Sequence, residues 1–316
     1  MRTETSTVWV TALAFALCTA AFAGEAAAPA EPAPKPAEGP PIPLHSIEGV
    51  SGVFITNCAY FANMPAGDAW FGKPSVALSG VHMGHKSLYT TTVTTNFFKR
   101  VELGYSFMHL ELGDWDNDVE AAVPGVSVRD NVQMHTLSAR LVILRDSEGG
   151  MPWVPALTAG VHYKNNTGIW DINRNLGGVC NAAGVRDNDG FDFTLTASKL
   201  IAGVLPRPFI LSAGLRSTEA AQIGLVGFTG DRDICFEGNA VFFVTDRLLL
   251  AAEYRQKPDN LGRVGRLCGP EHDWWTLAAA YVVNNNCTVA AGYGHFGNIL
   301  NHEENAAWAL QAKWEF

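Results

Sequence analysis

The chain has 316 residues, of which 47% are hydrophobic and only 17% are charged, and its formal net charge is −9. The charged fraction lies below the roughly 25% that is usual for soluble domains, so the composition suits contact with something other than water. The acidic balance argues against nucleic acid as a partner, because binding to phosphates requires basic surfaces.

The first 43 residues cannot build a hydrophobic core. Residues 1–23 combine Arg2, the apolar stretch VWVTALAFALCTAAFA and a small-residue site before Gly24, which is the pattern of a cleaved secretory signal peptide. Residues 24–43 are rich in Ala and Pro without periodicity and predict an extended linker.

Residues 44–72, LHSIEGVSGVFITNCAYFANMPAGDAWFG, admit three arrangements. The stretch GVFITNCAYF has the composition of an additional strand. Alternatively, the segment folds into the interior of the following domain as a plug, or covers its periplasmic end. We favour a plug or a cover.

Residues 73–316 alternate between apolar and polar side chains with a period of two, which indicates β-strands. In one such strand Val101, Leu103, Tyr105 and Phe107 alternate with Glu102 and other polar or small residues. The alternation and turn signals predict twelve strands, at 75–83, 87–97, 100–111, 131–144, 153–164, 190–201, 208–218, 233–244, 247–257, 273–283, 287–296 and 305–316.

Alternation alone fits either a soluble sandwich or a membrane barrel. The polar faces are rich in Gly, Ala, Ser and Thr, which suit a crowded interior, and aromatic residues gather near strand ends as in an interfacial girdle. Short connections, such as 245–246, also alternate with longer ones, such as 165–189. We therefore predict an all-β fold, an antiparallel transmembrane β-barrel of about 12 strands (10–14) over residues 73–316.

The chain ends with NAAWALQAKWEF, in which Trp308, Leu310, Trp314 and Phe316 share one face. This stretch resembles the C-terminal signature of Gram-negative outer-membrane proteins. The resemblance implies insertion into the cell outer membrane by the barrel-insertion machinery, with these four residues as the signal and lipid as the surrounding partner.

A second resemblance covers more of the chain. The opening Ser46, Ile47, Glu48 and Gly49 and the strand that begins Arg100-Val101-Glu102-Leu103 resemble an uncharacterised family of Gram-negative outer-membrane barrels, a domain of unknown function. The insertion near Asn57 to Phe71 and the cysteines depart from that pattern. The resemblance implies a fold and a location, and no activity.

Charged and titratable residues of both signs are predicted on the lumen face. They are Glu102, Arg140, His162, Lys164, Asp192, Arg216, Glu237, Glu253, Arg255 and Lys313. Because an unpaired charge is costly away from water, opposite charges are expected to pair across the barrel. Two interpretations stay open, a structural lattice of ion pairs and the lining of a pore.

No pattern indicates an enzyme or a resident cofactor. His135 and Ser138 are an odd number of residues apart and so face opposite sides of a strand. His82 and His85 flank a tight turn and form a weak transition-metal candidate. Asp114, Asp116 and Asp118 begin like a calcium loop, yet Val119 stands where an EF-hand has glycine.

Removal of the signal peptide leaves five cysteines. The barrel topology places Cys180, Cys235 and Cys268 on the outer side, and export to an oxidising compartment permits disulfides. Our hypothesis is a disulfide between Cys180 and Cys268, which lie in two long loops.

The sequence as a whole predicts a monomeric outer-membrane barrel with a porin-like function, the passive passage of small polar solutes or ions. The alternative is a closed structural or adhesive barrel whose outer loops bind a partner.

Overall fold

The computed structural model describes residues 44–316. The predictions of a signal peptide at 1–23 and of a linker at 24–43 lie outside these residues.

Twelve antiparallel strands close into one barrel, which confirms the predicted fold. Each strand pairs with its neighbours in the chain, and the last strand pairs with the first, so that Glu315 lies opposite Ser75. The barrel strands are β1 (Ser75–His82), β2 (Ser87–Phe97), β3 (Val101–Glu111), β4 (Asn131–Leu144), β5 (Ala156–Thr167), β6 (Asp189–Ile201), β7 (Phe209–Ala220), β8 (Phe228–Phe243), β9 (Leu248–Arg255), β10 (Trp274–Val282), β11 (Cys287–His295) and β14 (Ala307–Glu315).

The two ends of the barrel differ. At one end, the turn end, the strands are joined by short segments such as 98–100 and 244–247. At the other, the long-loop end, the connections include helices α1 (Trp115–Ala122), α2 (Ile169–Asn175) and α3 (Val179–Ala182), a 3₁₀ turn (Ala221–Gly224) and a two-stranded pair, β12 (Asn298–Ile299) and β13 (His302–Glu303). A second 3₁₀ turn (Glu148–Gly150) lies at the turn end. None of the helices in residues 44–316 is long and apolar enough to cross a bilayer.

The side chains alternate as a membrane barrel requires. Outward positions carry large apolar residues that stay exposed, among them Leu137 (57%), Phe193 (50%) and Leu215 (51%). The inward positions of the same strands, such as Thr136, Thr194 and Arg216, are buried. A soluble sandwich would show the opposite arrangement, because its apolar faces must leave water. The exposed apolar face therefore indicates a barrel that is solvated by hydrocarbon.

Strand boundaries differ from the predicted ones where polar residues continue a strand. β5 begins at Ala156 rather than at 153, because Pro155 cannot donate a backbone hydrogen bond. It continues to Thr167 through two asparagines, which we did not assign to the strand. The inward Asn166 donates hydrogen bonds to the carbonyls of Gly224 (2.9 Å) and Leu225 (2.8 Å), so a polar residue is satisfied inside the barrel.

Candidate functional site

The predicted lumen residues all lie inside the barrel and are buried. They are Glu102, Arg140, His162, Lys164, Asp192, Arg216, Glu237, Glu253, Arg255 and Lys313. A water-filled pore would leave the side chains of its wall exposed to solvent. Glu102, His162, Lys164 and Asp192 have no exposed surface, so the lumen enclosed by residues 44–316 is filled.

Residues 44–62, which we call the finger, occupy the lumen from the turn end to its middle. All of them are buried, and they form isolated bridges with one another rather than a strand of the barrel. The finger starts at the turn end, where Nε2 of His45 lies 2.9 Å from Oγ of Ser75. It returns to the same end, where Asn96 on β2 donates a hydrogen bond to the carbonyl of Ala62.

The tip of the finger carries Glu48, which contacts three cations of the wall. Its carboxylate lies 2.5 Å from Nζ of Lys164, 3.0 Å from Nη2 of Arg216 and 2.8 Å from Nη1 of Arg255. Breaking a buried pair by removing one partner typically costs about 3–5 kcal/mol, because the remaining charge stays out of water. Glu48 is therefore a strong point of attachment for the finger.

The wall by itself leaves this cluster with an excess of positive charge. Asp192 contacts Lys164 at 2.7 Å and Arg216 at 3.0 Å, and Glu237 contacts Arg216 at 3.0 Å. Three cations thus face two carboxylates of the barrel, and the third carboxylate belongs to the finger. Glu48 completes the charge balance of a site that the strands leave unbalanced.

Glu253 on β9 binds the backbone of the finger. Its carboxylate accepts hydrogen bonds from the amides of Phe54 (2.9 Å), Ile55 (2.9 Å) and Thr56 (2.8 Å). The hydroxyls of Thr56 and Thr276 also donate to it, at 2.7 and 2.6 Å. An anion that accepts several hydrogen bonds is stabilised without a cation, which explains how a carboxylate is held here.

A third attachment lies nearer the turn end. Glu102 on β3 and Arg140 on β4 are cross-strand partners whose side chains meet at 2.8 Å. Arg140 also donates to the carbonyls of Ser51 (3.0 Å) and Cys58, and Ser51 donates to Glu102. The ion pair between Glu102 and Arg140 therefore holds the finger at both Ser51 and Cys58.

Close contact between the finger and the wall requires two glycines. Gly49 has a positive φ of 79°, and a Cβ on it would lie 2.5 Å from the carbonyl oxygen of Tyr105. A Cβ on Gly104 would lie 1.9 Å from the carbonyl oxygen of Gly49. Neither backbone has room for a side chain, so this pair sets how deeply the finger docks.

Residues 221–227, which we call the lid, fold into the lumen from the long-loop end. Nζ of Lys164 donates to the carbonyl of Ile223 at 3.0 Å, and the amide of Gln222 donates to the carboxylate of Glu271 at 3.0 Å. Gln222 and Ile223 have φ values of 46° and 59°. A left-handed conformation is unfavourable for a β-branched residue, so the contacts of the lid hold a strained backbone.

A buried ion pair stands behind the lid. Nζ of Lys257 lies 2.7 Å from Glu271. Burial lowers the pKa of Lys257 and raises the pKa of Glu271, because each charged form loses its hydration. The carboxylate of Glu271, which accepts the hydrogen bond from Gln222, therefore depends on Lys257 for its charged state.

Between the finger and the lid lies an apolar cavity of about 30 Å³. Ile47, Phe54 and Ile55 of the finger and Leu225 of the lid line it, together with Trp274. A cavity needs roughly 10–15 Å³ of such volume, and several polar partners, to hold a single water. The cavity is too small for a solute.

A serine and a histidine are close together inside the barrel, although they are not the pair considered from the sequence. Oγ of Ser138 lies 2.8 Å from Nδ1 of His162. Nε2 of His162 faces the hydroxyl of Thr194 at 3.0 Å instead of a carboxylate. A hydrolase triad needs an acid in that position and access for substrate, and this buried pair has neither.

The remaining site predictions have different outcomes. Trp308, Leu310, Trp314 and Phe316 lie on the outside with 64, 59, 36 and 57% exposure, and their role in insertion stays a prediction. The structure does not bring Asp114, Asp116 and Asp118 together as a calcium site. Residues 115–122 form α1, in which side chains two positions apart point in nearly opposite directions.

The disulfide between Cys180 and Cys268 also stays a prediction. The structure has both as free thiols that line one apolar cavity among the long loops. Burial raises the pKa of each thiol to about 11.

The structure places the ten predicted lumen residues inside the barrel. Sequence reasoning did not predict that Glu48 joins them there. The one available signal was the arithmetic of charge: the ten predicted residues include five Lys or Arg and four Asp or Glu. It also missed the lid and the grouping of His85, His302 and Glu304, since each depends on the folding of a loop.

The closed ring of strands, with apolar residues outside and a filled polar lumen, defines the class as an antiparallel β-barrel of the outer-membrane type. The chain belongs to the family described as Protein of unknown function (DUF3034), which it matches over residues 43–313.

No curated protein matches the chain in sequence. Among solved structures, the KdgM porin is 8% identical, with 77% of this chain and 99% of that one covered and a TM-score of 0.47. An outer membrane channel from Pseudomonas putida F1 is 9% identical, with 80% and 98% covered and a TM-score of 0.40. Outer membrane phospholipase A from Escherichia coli is 8% identical, with 78% and 93% covered and a TM-score of 0.34.

Proposed function

We propose that the protein is an outer-membrane channel for the passive passage of small polar solutes or ions, and that the finger and the lid hold it closed. It would act as a monomer surrounded by lipid. The observation that carries this proposal is the position of Glu48. The barrel wall has an unbalanced charge cluster, and a segment that is not a strand of the barrel supplies the missing carboxylate.

The nature of the contacts supports a plug that can leave. The finger is held to the wall by hydrogen bonds and ion pairs, as at Glu253, Arg140 and Arg255, together with apolar contacts of side chains such as Phe54. Water can replace such contacts, because withdrawal of the finger would hydrate both partners, and each exchanged hydrogen bond to a charged group contributes about 1.5–3 kcal/mol. Withdrawal of the finger towards the turn end would leave a hydrophilic wall.

The lid would form a second gate. It is strained at Ile223, and it is held by Lys164, the same side chain that contacts Glu48. Loss of Glu48 would leave Lys164 free to change partners, so movement of the finger and of the lid would be coupled.

Single-channel recording in planar bilayers tests the proposal. We expect the mature wild-type chain to be almost silent, and a variant that lacks residues 44–62 and has a short Gly-Ser turn in place of 221–227 to give steady ohmic steps. Exposed Glu120→Gln serves as a control that stays silent.

Correct folding of each variant is checked by its heat-dependent migration in gels and by circular dichroism. A folded double variant without conductance would overturn the channel. It would favour the alternative, a closed structural or adhesive barrel whose helical long loops bind a partner.

A further inference from the structure

Two histidines and a glutamate come together at the long-loop end, beside the seam where β1 and β14 close the barrel. His85 lies in the turn between β1 and β2, and His302 and Glu304 lie in the loop between β11 and β14. The ligand atoms of these three residues lie within 4.8 Å of one another. It is the one group of at least three His, Cys, Asp or Glu residues with such spacing in the part of the chain described.

The individual distances suit a shared ion. Nδ1 of His85 lies 3.7 Å from Oε1 of Glu304, and the rings of His85 and His302 are stacked with centroids 4.3 Å apart. Ligand atoms around a tetrahedral zinc ion with bonds of about 2.0–2.1 Å are roughly 3.3 Å apart. The side chain of His85 is half-exposed, and a small rotation of its ring would shorten the distance from Nδ1 to Glu304.

A neighbouring carboxylate orients one histidine. Asp118 on α1 lies 3.1 Å from Nε2 of His302 and also accepts a hydrogen bond from Asn301 at 2.7 Å. This leaves Nδ1 of His302 directed towards the cluster. A ligand histidine almost always donates its other ring N–H to a carboxylate, a carbonyl or water, and the arrangement here has that form.

Glu304 supplies the second, independent observation. Its side chain is fully buried, and Oε1 accepts no hydrogen bond from residues 44–316. Oε2 accepts the backbone amide of His85 at 3.3 Å, which fixes the carboxylate. A buried carboxylate oxygen without a hydrogen-bond donor is costly unless a cation compensates it.

The cation in this position now is the ammonium of Lys86. Its Nζ lies 3.1 Å from Nδ1 of His302 and 3.5 Å from Oε1 of Glu304. The site thus already favours positive charge between His302 and Glu304. A divalent ion that bound there would compete with this ammonium group.

We propose that His85, His302 and Glu304 form a binding site for a divalent transition metal ion of the zinc type, with Asp118 as a positioning residue. Two imidazoles and one carboxylate suit zinc and disfavour calcium, which prefers six to eight oxygen ligands. The exposed side of His85 gives the ion access and leaves a fourth position for water. Bound metal would tie the first turn, the last loop and α1 across the seam of the barrel.

The test is titration of the metal-free, detergent-solubilised full chain with Zn²⁺ by calorimetry, and with Co²⁺ by visible absorption, which identifies tetrahedral coordination. We expect one equivalent to bind. His302→Gln and Glu304→Gln should each lower the affinity by about 100-fold or more, and Asp118→Asn by about tenfold, in the range found for orienting partners.

Two further variants separate a built site from adventitious binding. His82→Gln alters an exposed histidine three positions from His85 and should leave binding unchanged. Lys86→Gln should tighten binding, because it removes the competing ammonium. If His302→Gln fails to fold, His85→Gln at the exposed ligand replaces it. Absence of binding, or affinity unchanged in the folded His85 and Glu304 variants, would overturn the site.

Discussion

Nη1 of Arg255 donates to Oε2 of Glu48 at 2.8 Å, inside the barrel and more than 200 residues away in the chain. This pair joins the finger to the wall at the centre of the lumen. Glu48 also contacts Lys164 and Arg216, so its single carboxylate balances the one excess positive charge of three cations from three strands. Glu48 is the one Asp, Glu, Lys or Arg of the finger, so every ion pair of these side chains with the wall passes through it.

Glu48→Gln should release the finger. The substitution leaves three buried cations with two carboxylates, and the loss of one partner of a buried pair costs about 3–5 kcal/mol. In a chain that keeps Cys58 as its one cysteine, we expect a water-soluble maleimide to label this buried thiol at least about 100-fold faster, since each 1.4 kcal/mol is a factor of ten and the loss is about 3 kcal/mol or more. The Glu120→Gln variant is the matched control, and equal labelling rates would contradict the role of Glu48.

Gly104→Ala should displace the finger without preventing closure of the barrel. The added methyl group would lie 1.9 Å from the carbonyl oxygen of Gly49, and that oxygen belongs to a buried backbone. Labelling of Cys58 should again increase, while the heat-dependent gel migration of the barrel stays unchanged. Gly80→Ala is the control, because its methyl would meet the ring of Tyr89 at an ordinary 3.7 Å.

An opened barrel should prefer anions weakly. Without the finger, its wall presents five Lys or Arg and four Asp or Glu among the predicted lumen residues. The reversal potential of the variant lacking the finger and the lid, measured across a KCl gradient, should therefore indicate chloride as the more permeant ion. Arg216→Gln should abolish or reverse this preference, whereas a cation preference before that substitution would show that the wall charges do not set the field.

Mild oxidation should join Cys180 to Cys268. Both thiols line one cavity among the long loops, and the disulfide would close a long loop, which stabilises a fold by about 4 kcal/mol. Non-reducing peptide mapping should recover the two peptides linked, and buried Cys235 on β8 should stay reduced. Recovery of both as separately alkylated peptides after oxidation would dispose of the pairing.

The strands could be predicted because their signal is local. Alternation along β3, from Val101 to Glu111, already assigns Glu102 to the interior and Leu103 to the lipid-facing side. The same rule placed Arg140 and Arg216 inside. The helices in the loops were not predicted. The acidic stretch around Asp116 has little hydrophobic signal, and its helix is held by the buried Trp115 and Val119.

The sequence by itself predicted about twelve strands and the face on which each side chain lies, since both follow from the two-residue period of extended chain. The class of membrane protein followed from that pattern together with the alternating lengths of the connections and the aromatic residues near strand ends. Only the tertiary structure decided that the lumen is filled. The finger and the lid are placed by pairings such as Glu48 with Arg255 and Lys164 with Ile223, whose partners are distant in sequence. Such contacts form once the ring closes and brings the charges of several strands to one point, and no local pattern records them.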